Sequence, residues 1–168
     1  WEKAAAQGHA KAQNSLGFAY ESGQGVPQSH ERAFELYQQS AAQGDSCAQS
    51  NIANCYADGQ GCKQSYERAA EWFKKAAAQG NARSQCSLGA AYKRGQGVPQ
   101  SDERAFELYK QSAAQGEPVA QTNIGNCYRD GRGCEKSYEQ AAKWWEKAAA
   151  QGHSNARWNL AECYEDGE

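Results

Sequence analysis

Apolar and small residues return along this chain in two helical stripes per 36 residues. Over residues 30–43, Ala33, Leu36, Tyr37 and Ala41 follow i, i+3, i+4 and i+8, one face of an α-helix, with charged and amide side chains between them. Over residues 46–57, Ala48, Ile52, Cys55 and Tyr56 mark the buried side of a second helix. Ser29 precedes the first stripe as a predicted N-cap, with Glu31 near the positive helix end. Gly44 ends that helix as a C′ residue, and Gly59 stops the second. Gly23-Gln24-Gly25 supplies the positive φ values of a tight turn. The pattern predicts an all-α chain with two helices per copy, helix A and then helix B.

The copies run 1–36, 37–72, 73–108 and 109–144, with a partial fifth at 145–168, and no insertion separates them. Ala-Ala-Gln-Gly recurs at 5–8, 41–44, 77–80, 113–116 and 149–152, and the cap recurs as Ser65, Ser101 and Ser137. Such fixed-period similarity predicts one stacked-repeat array over 1–168. Odd copies share Gly-Gln-Gly-Val-Pro-Gln-Ser, and even copies share Asn-Ile-x-Asn-Cys-Tyr-x-Asp-Gly-x-Gly-Cys, so the full unit is a 72-residue pair. Gly17, Ala53, Gly89, Gly125 and Ala161 share one helix B position, and Ala42, Ala78 and Ala114 one helix A position. Both sets predict close helix contact.

Composition narrows the function. The formal net charge is −2 with no basic stripe, which removes electrostatic support for nucleic-acid binding. The apolar runs are too short to span a membrane. Mean hydropathy is −0.97, yet the apolar positions keep fixed register, as a thin two-layer helical core requires. The chain starts at Trp1 and contains no Met, which suggests a piece of a longer precursor.

The stretch Ala69-Ala70-Glu71-Trp72-Phe73-Lys74-Lys75-Ala76-Ala77-Ala78-Gln79-Gly80 continues through Leu88-Gly89, Tyr92, Gly95, Gly97-Val98 and Ser101. In this order it resembles the Sel-one-like repeat family, relatives of the tetratricopeptide repeats, and the resemblance covers every copy. Two departures stand out: Ser replaces the usual Asp cap, and even copies carry Cys where the family has Val after the glycine turn. The resemblance implies a right-handed α/α superhelix acting as an adaptor or scaffold, with helix A lining the concave surface. The residues themselves point to neither an enzyme nor a cofactor.

Seven cysteines are many for 168 residues. Cys55 and Cys62, and again Cys127 and Cys134, replace the Ala19/Val26 and Ala91/Val98 pairs of the odd copies. Both members switch together, which predicts contact and the disulfides Cys55–Cys62 and Cys127–Cys134. Each closes a short loop and stabilises by roughly 2.5 kcal/mol in the chain-entropy model. Buried reduced thiols remain an alternative. Zinc is a weaker one, because His9, His30 and His153 are not spaced to complete a site. Disulfides would place the chain in an oxidising compartment: the ER lumen, the periplasm or outside the cell. Cys163 would pair with position 170, beyond this sequence, and Cys47 and Cys86 stand outside the pattern.

No nucleophile–base constellation is legible. Asp58-Gly59 and Asp130-Gly131 are turn residues, too short for a calcium loop. The glycine turn is not the Gly-x-Gly-x-x-Gly of dinucleotide sites. Binding is the expectation, with Phe34, Phe106, Tyr66 and Tyr138 on helix A as candidate contacts for a protein partner; packing on the neighbouring repeat is the alternative for these rings. The alternative is a building block of a fibre or extended assembly. Trp1 and Trp145 would then present open apolar ends for end-to-end association.

Overall fold

The computed structural model describes residues 2–165. Among them are ten helices and no strand. In order they are α1 (Glu2–Ala6), α2 (Ala10–Ser22), α3 (His30–Ala42), α4 (Ser46–Asp58), α5 (Tyr66–Ala78), α6 (Ala82–Arg94), α7 (Asp102–Ala114), α8 (Pro118–Asp130), α9 (Tyr138–Ala150) and α10 (Ser154–Glu165). The fold is an all-α solenoid of helix-turn-helix repeats. Two compact units divide the chain, Trp1–Ser84 and Gln85–Glu168.

The helix ends follow from local chemistry. Ser29, Ser65, Ser101 and Ser137 sit in extended backbone, and each side chain accepts the backbone N–H three residues on. Gly23, Gly59 and Gly131 close α2, α4 and α8 in the left-handed region, at φ of 70°, 72° and 68°. The chain is then folded back by one repeated bond: the N–H groups of Ser29, Ser65, Ser101 and Ser137 donate to the carbonyls of Tyr20, Tyr56, Tyr92 and Tyr128, at 2.9–3.0 Å.

Within the first unit, α2 packs most extensively on α3 and α4 on α5; within the second, α8 packs most extensively on α9. Every one of these pairs faces across a glycine turn. A Cβ on Gly17 would stand 2.7 Å from the Tyr37 ring, and one on Gly89 would stand 2.8 Å from Tyr109. The small helix B position is therefore a contact point, as its recurrence predicts. The helix A position is not: Ala42, Ala78 and Ala114 are exposed, and the buried residues beside them are Ser40, Ala41, Ala76, Ser112 and Ala113. The helical phase is one to two residues earlier than the small-residue pattern suggests.

Glutamine holds the layers together where sequence reading assigned it nothing. Gln13, Gln49, Gln85 and Gln121 are each only 5–6% exposed. Their side-chain oxygens accept from the Gln of the next Ala-Ala-Gln-Gly, Gln43, Gln79, Gln115 and Gln151, at 2.7–2.8 Å. Three of the buried amides also reach the carbonyls of Ala5, Ala41 and Ala113, each at 3.4 Å. A buried amide left unpaired is costly, so the two glutamines of each clasp are needed together.

The expected open apolar end at Trp145 is absent. Trp145 is 1% exposed, and its indole N–H donates to Thr122 O at 3.3 Å and Asn126 Oδ1 at 3.2 Å. Trp1 lies outside the described residues. Among the described residues, Trp158 on α10 is the exposed tryptophan.

Candidate functional site

The aromatic residues expected on helix A divide between core and surface. Phe34 is half-buried and stands edge-on to Tyr56, with ring centroids 5.3 Å apart. Phe106 is 6% exposed and meets Tyr128 in the same geometry. These rings are engaged inside their units. Tyr66 is the exposed member, and Tyr138 is half-buried with Lys136 Nζ 4.5 Å above its ring.

The two cysteine pairs are brought together by the turn that follows α4 and α8. Cys62 Sγ lies 3.5 Å from the Cys55 carbonyl, in the loop that Gly59 starts. Cys55, Cys62, Cys127 and Cys134 are free thiols here. Burial first, then the Glu21 carboxylate, pushes the Cys55 thiol up to about 12. Burial pushes Cys127 and Cys86 up to about 11 each. Neutral thiols of this kind are poor nucleophiles and poor metal ligands. No group of three potential ligands suited to a metal ion occurs among the described residues.

A groove of about 430 Å³ between α8 and α10 offers different chemistry. Asn123, Asn126, Asn155 and Asn159 line it, together with Thr122 and His153, and Val119 and Trp158 flank them. None of these eight side chains carries a permanent charge. Val119 is 44% exposed and Trp158 71% exposed.

Hydrogen-bond accounting fixes how the amides point. An indole N–H only donates, so the Asn126 atom facing Trp145 Nε1 is the oxygen. Asn159 Nδ2 donates to that same oxygen at 2.8 Å. Both lone pairs of Asn126 Oδ1 are thus used, and its NH2 group is left for the groove. Asn159 is left with its oxygen and its second amide N–H. Asn123 Nδ2 contacts Cys86 Sγ at 3.8 Å, which leaves the Asn123 oxygen too. Thr122 Oγ1 donates to Pro118 O at 2.9 Å, so it accepts from His153 Nδ1, also at 2.9 Å. His153 Nε2 then remains as an acceptor. Buried Trp145 therefore orients Asn126, whose oxygen is held by the indole and whose NH2 group is turned to the groove.

Sequence reading missed this groove. The Asn-Ile-x-Asn motif was visible, but its amides were not read as a surface. The signal was Trp158: preceding copies carry Asn14, Ser50, Cys86 and Thr122 at its position.

Sel1 repeats match residues 1–9, 10–45, 48–81, 82–117, 118–153 and 154–168. The chain belongs to the Sel1 repeat family. The Sel1 register begins each full copy at helix B, so α2 with α3 and α8 with α9 are the repeat's own helix pairs. Sel1 repeats generally mediate protein–protein interaction. A Sel1 repeat protein from Oxalobacter formigenes is similar at 31% identity and TM-score 0.92, covering 99% of this chain and 66% of that one. The c5321 protective antigen of uropathogenic Escherichia coli, which displays an SLR fold, is similar at 34% identity and TM-score 0.89, covering 99% of this chain. The chain spans 36% of that antigen's length. Helicobacter pylori cysteine rich protein B shares the fold at 18% identity and TM-score 0.63, over 77% of this chain and 96% of its own. No protein of curated function is a significant match to this Sel1 chain. Among the described residues, no helix is long and apolar enough to cross a membrane.

Proposed function

We propose that this Sel1 array is a non-catalytic protein-binding scaffold of an oxidising compartment, secreted, periplasmic or in the ER lumen. The observation that carries the binding reading is the uncharged groove between α8 and α10, whose amide donors and acceptors are not consumed by the fold. Binding needs such unspent groups; catalysis would need a nucleophile beside a base. A photo-crosslinker in the groove tests it. Asn155→p-benzoylphenylalanine is expected to give a protein adduct that the same crosslinker at Glu135, on an exposed loop, does not give. Excess unmodified chain should compete the adduct away. Adducts only with other copies of this chain would favour the fibre reading. No adduct at Asn155 would overturn the scaffold.

The compartment rests on the cysteine pairs Cys55–Cys62 and Cys127–Cys134, which a disulfide would convert into loop staples. Alkali distinguishes the two redox forms. The folded thiols of Cys55 and Cys127 titrate above the ordinary value near 9, so the native state holds more protons than the unfolded chain between about pH 9 and 12. Their stability contribution is complete below pH 9 and lost as pH rises through that window. Oxidised pairs have no proton to lose. Air-oxidised protein should therefore survive to higher pH than protein kept in reductant, read by circular dichroism. Equal alkaline midpoints would remove the disulfides from the proposal.

A further inference from the structure

We propose that the second unit carries a self-complementary face, and that two copies of this chain pair through it about a two-fold axis, Trp144 and Lys147 of each entering the α6–α7 groove of the other. This goes beyond the scaffold reading and uses a different surface from the α8–α10 groove.

Between α6 and α7 lies a groove of about 380 Å³, walled by Leu88, Tyr92 and Leu108 and rimmed by Glu103, Arg104 and Glu107. Arg104 is spent on the wall. Its guanidinium lies 5.4 Å over the Tyr92 ring, and its Nη1 donates to the Tyr92 hydroxyl at 3.3 Å. The two acids are not spent in this way. Glu107 makes no ion pair among the described residues. Its own backbone N–H, and then the Ser101 hydroxyl at 2.9 Å, hold the Glu103 carboxyl below the usual carboxylate range. Like charges four residues apart on one helix repel, so a cation brought between them is favoured. Apolar walls under two carboxylates suit a group that is apolar in its body and cationic at its tip.

The next copy supplies such a group at equivalent positions. Trp144 stands where copy three has Leu108, and Lys147 where it has Gln111. Trp144 is half-buried, and Lys147 Nζ lies 4.1 Å over its ring. Lys143, in the place of Glu107, is already paired with Glu139 at 2.6 Å, so Lys147 is the cation this ridge offers. Copy three is thus a hollow with an acidic rim, and copy four a ridge with a basic tip, at equivalent positions of successive copies and so on one face of the unit. A two-fold axis between them sets each ridge on the other chain's hollow, which makes an isologous, closed contact. The alternation is not confined to this unit: Leu36 and Gln39 in copy one give way to Trp72 and Lys75 in copy two. Trp72 is also half-buried, with Lys75 Nζ 4.1 Å over its ring, although further copies follow it. The exposure of the ridge is therefore not a property of the last copy.

Sedimentation velocity of the full chain over a concentration series tests the pairing. The mass is expected to rise from 18.3 kDa towards twice that value. The dissociation constant should be on the order of 100 µM, as suits a contact of small area. Leu108→Trp fills the hollow with the residue of copy four, and Trp144→Leu removes the ridge. Each is expected to weaken pairing about tenfold, as losing a central aromatic anchor does, while circular dichroism shows the helices kept. Glu107→Lys and Lys147→Glu should each weaken it about fivefold, and the two changes in one chain should restore it. That restoration is a result that a merely structural role would not give. A chain still monomeric at about 500 µM would overturn the proposal. So would pairing indifferent to both Leu108→Trp and Trp144→Leu, or a mass that grows past two copies, the mark of an open assembly. None of these results bears on the protein adduct expected at Asn155, so the scaffold reading stands or falls separately.

Discussion

Replacing Gly133 by alanine is expected to destabilise the chain by about 3 kcal/mol or more, while the same change at Gly25 costs only about 1 kcal/mol. Both glycines are second in a Gly-x-Gly turn, and both have positive φ, 70° and 77°. The left-handed backbone penalty is therefore common to the two variants. What differs is the surroundings. A Cβ on Gly133 would stand 2.6 Å from the Asp102 carbonyl carbon and 2.9 Å from Glu103 N, whereas nothing lies within 4 Å of a Cβ on Gly25. The obstructing atoms are the backbone of the first turn of α7. That turn cannot give way cheaply, because Ser101 caps it through Arg104 N at 3.2 Å and is itself anchored to Tyr92 O. Gly61 repeats the arrangement against His30 and Glu31. Urea unfolding of the two single variants measures the difference directly. Equal losses would mean that the turn does not seat on the helix start of the preceding copy.

This contact explains why the two glycines of the turn recur for different reasons. The first ends a helix, a local requirement legible from sequence, and so are the serine caps and the length of each helix. The second is needed by a neighbour about thirty residues away, as with Gly61 on His30, and local reading gives only its permissive φ. The glutamine clasps were hidden in the same way: Gln43 and Gln13 lie 30 residues apart, and nothing local marks an amide as buried. For Phe34 and Phe106 the sequence leaves open packing on the neighbouring repeat or contact with a partner; each meets the tyrosine at the end of the following helix B. Trp145 was expected at an open end because its copy is partial, yet α8 and α10 are enough to bury it.

Repetition and function separate along these lines. The clasps, caps and glycine seats recur because each copy must bind the next, and they consume their polar groups in doing so. Polar groups remain unspent at the half-exposed amides of α8 and α10, beside Trp158, which departs from the repeat. Copy two has the same two asparagines as copy four, Asn51 and Asn54, and Asn51 donates to Asn14 at 2.9 Å. Its counterpart of Trp145 is Phe73, which has no N–H to orient Asn54. The amide array is therefore set only where tryptophan replaces phenylalanine.

That dependence makes the second large effect a coupled one. Gly125→Ala should cost about 3 kcal/mol, because the new Cβ would press on a ring that cannot retreat. It would stand 2.6 Å from Trp145 Cδ1 and 3.0 Å from Cε2, with the indole N–H held by Thr122 and Asn126. Trp145→Phe alone should cost about 2 kcal/mol, from lost volume and from one donor withdrawn from Asn126. The double variant recreates the Ala53 and Phe73 combination of copy two, in which both residues are buried. Its loss is expected to fall short of the sum of the single losses by about 2 kcal/mol, read as the coupling energy of a double-mutant cycle in urea. Additive losses would mean that Gly125 is small for some reason other than the tryptophan. Stability is only half of the expected outcome. With the indole gone, Asn126 is free to turn its amide, and the groove loses its fixed donor. The double variant should be no less stable than Gly125→Ala alone and yet give less of the protein adduct at Asn155, which separates the residue that packs the repeat from the surface that it orients.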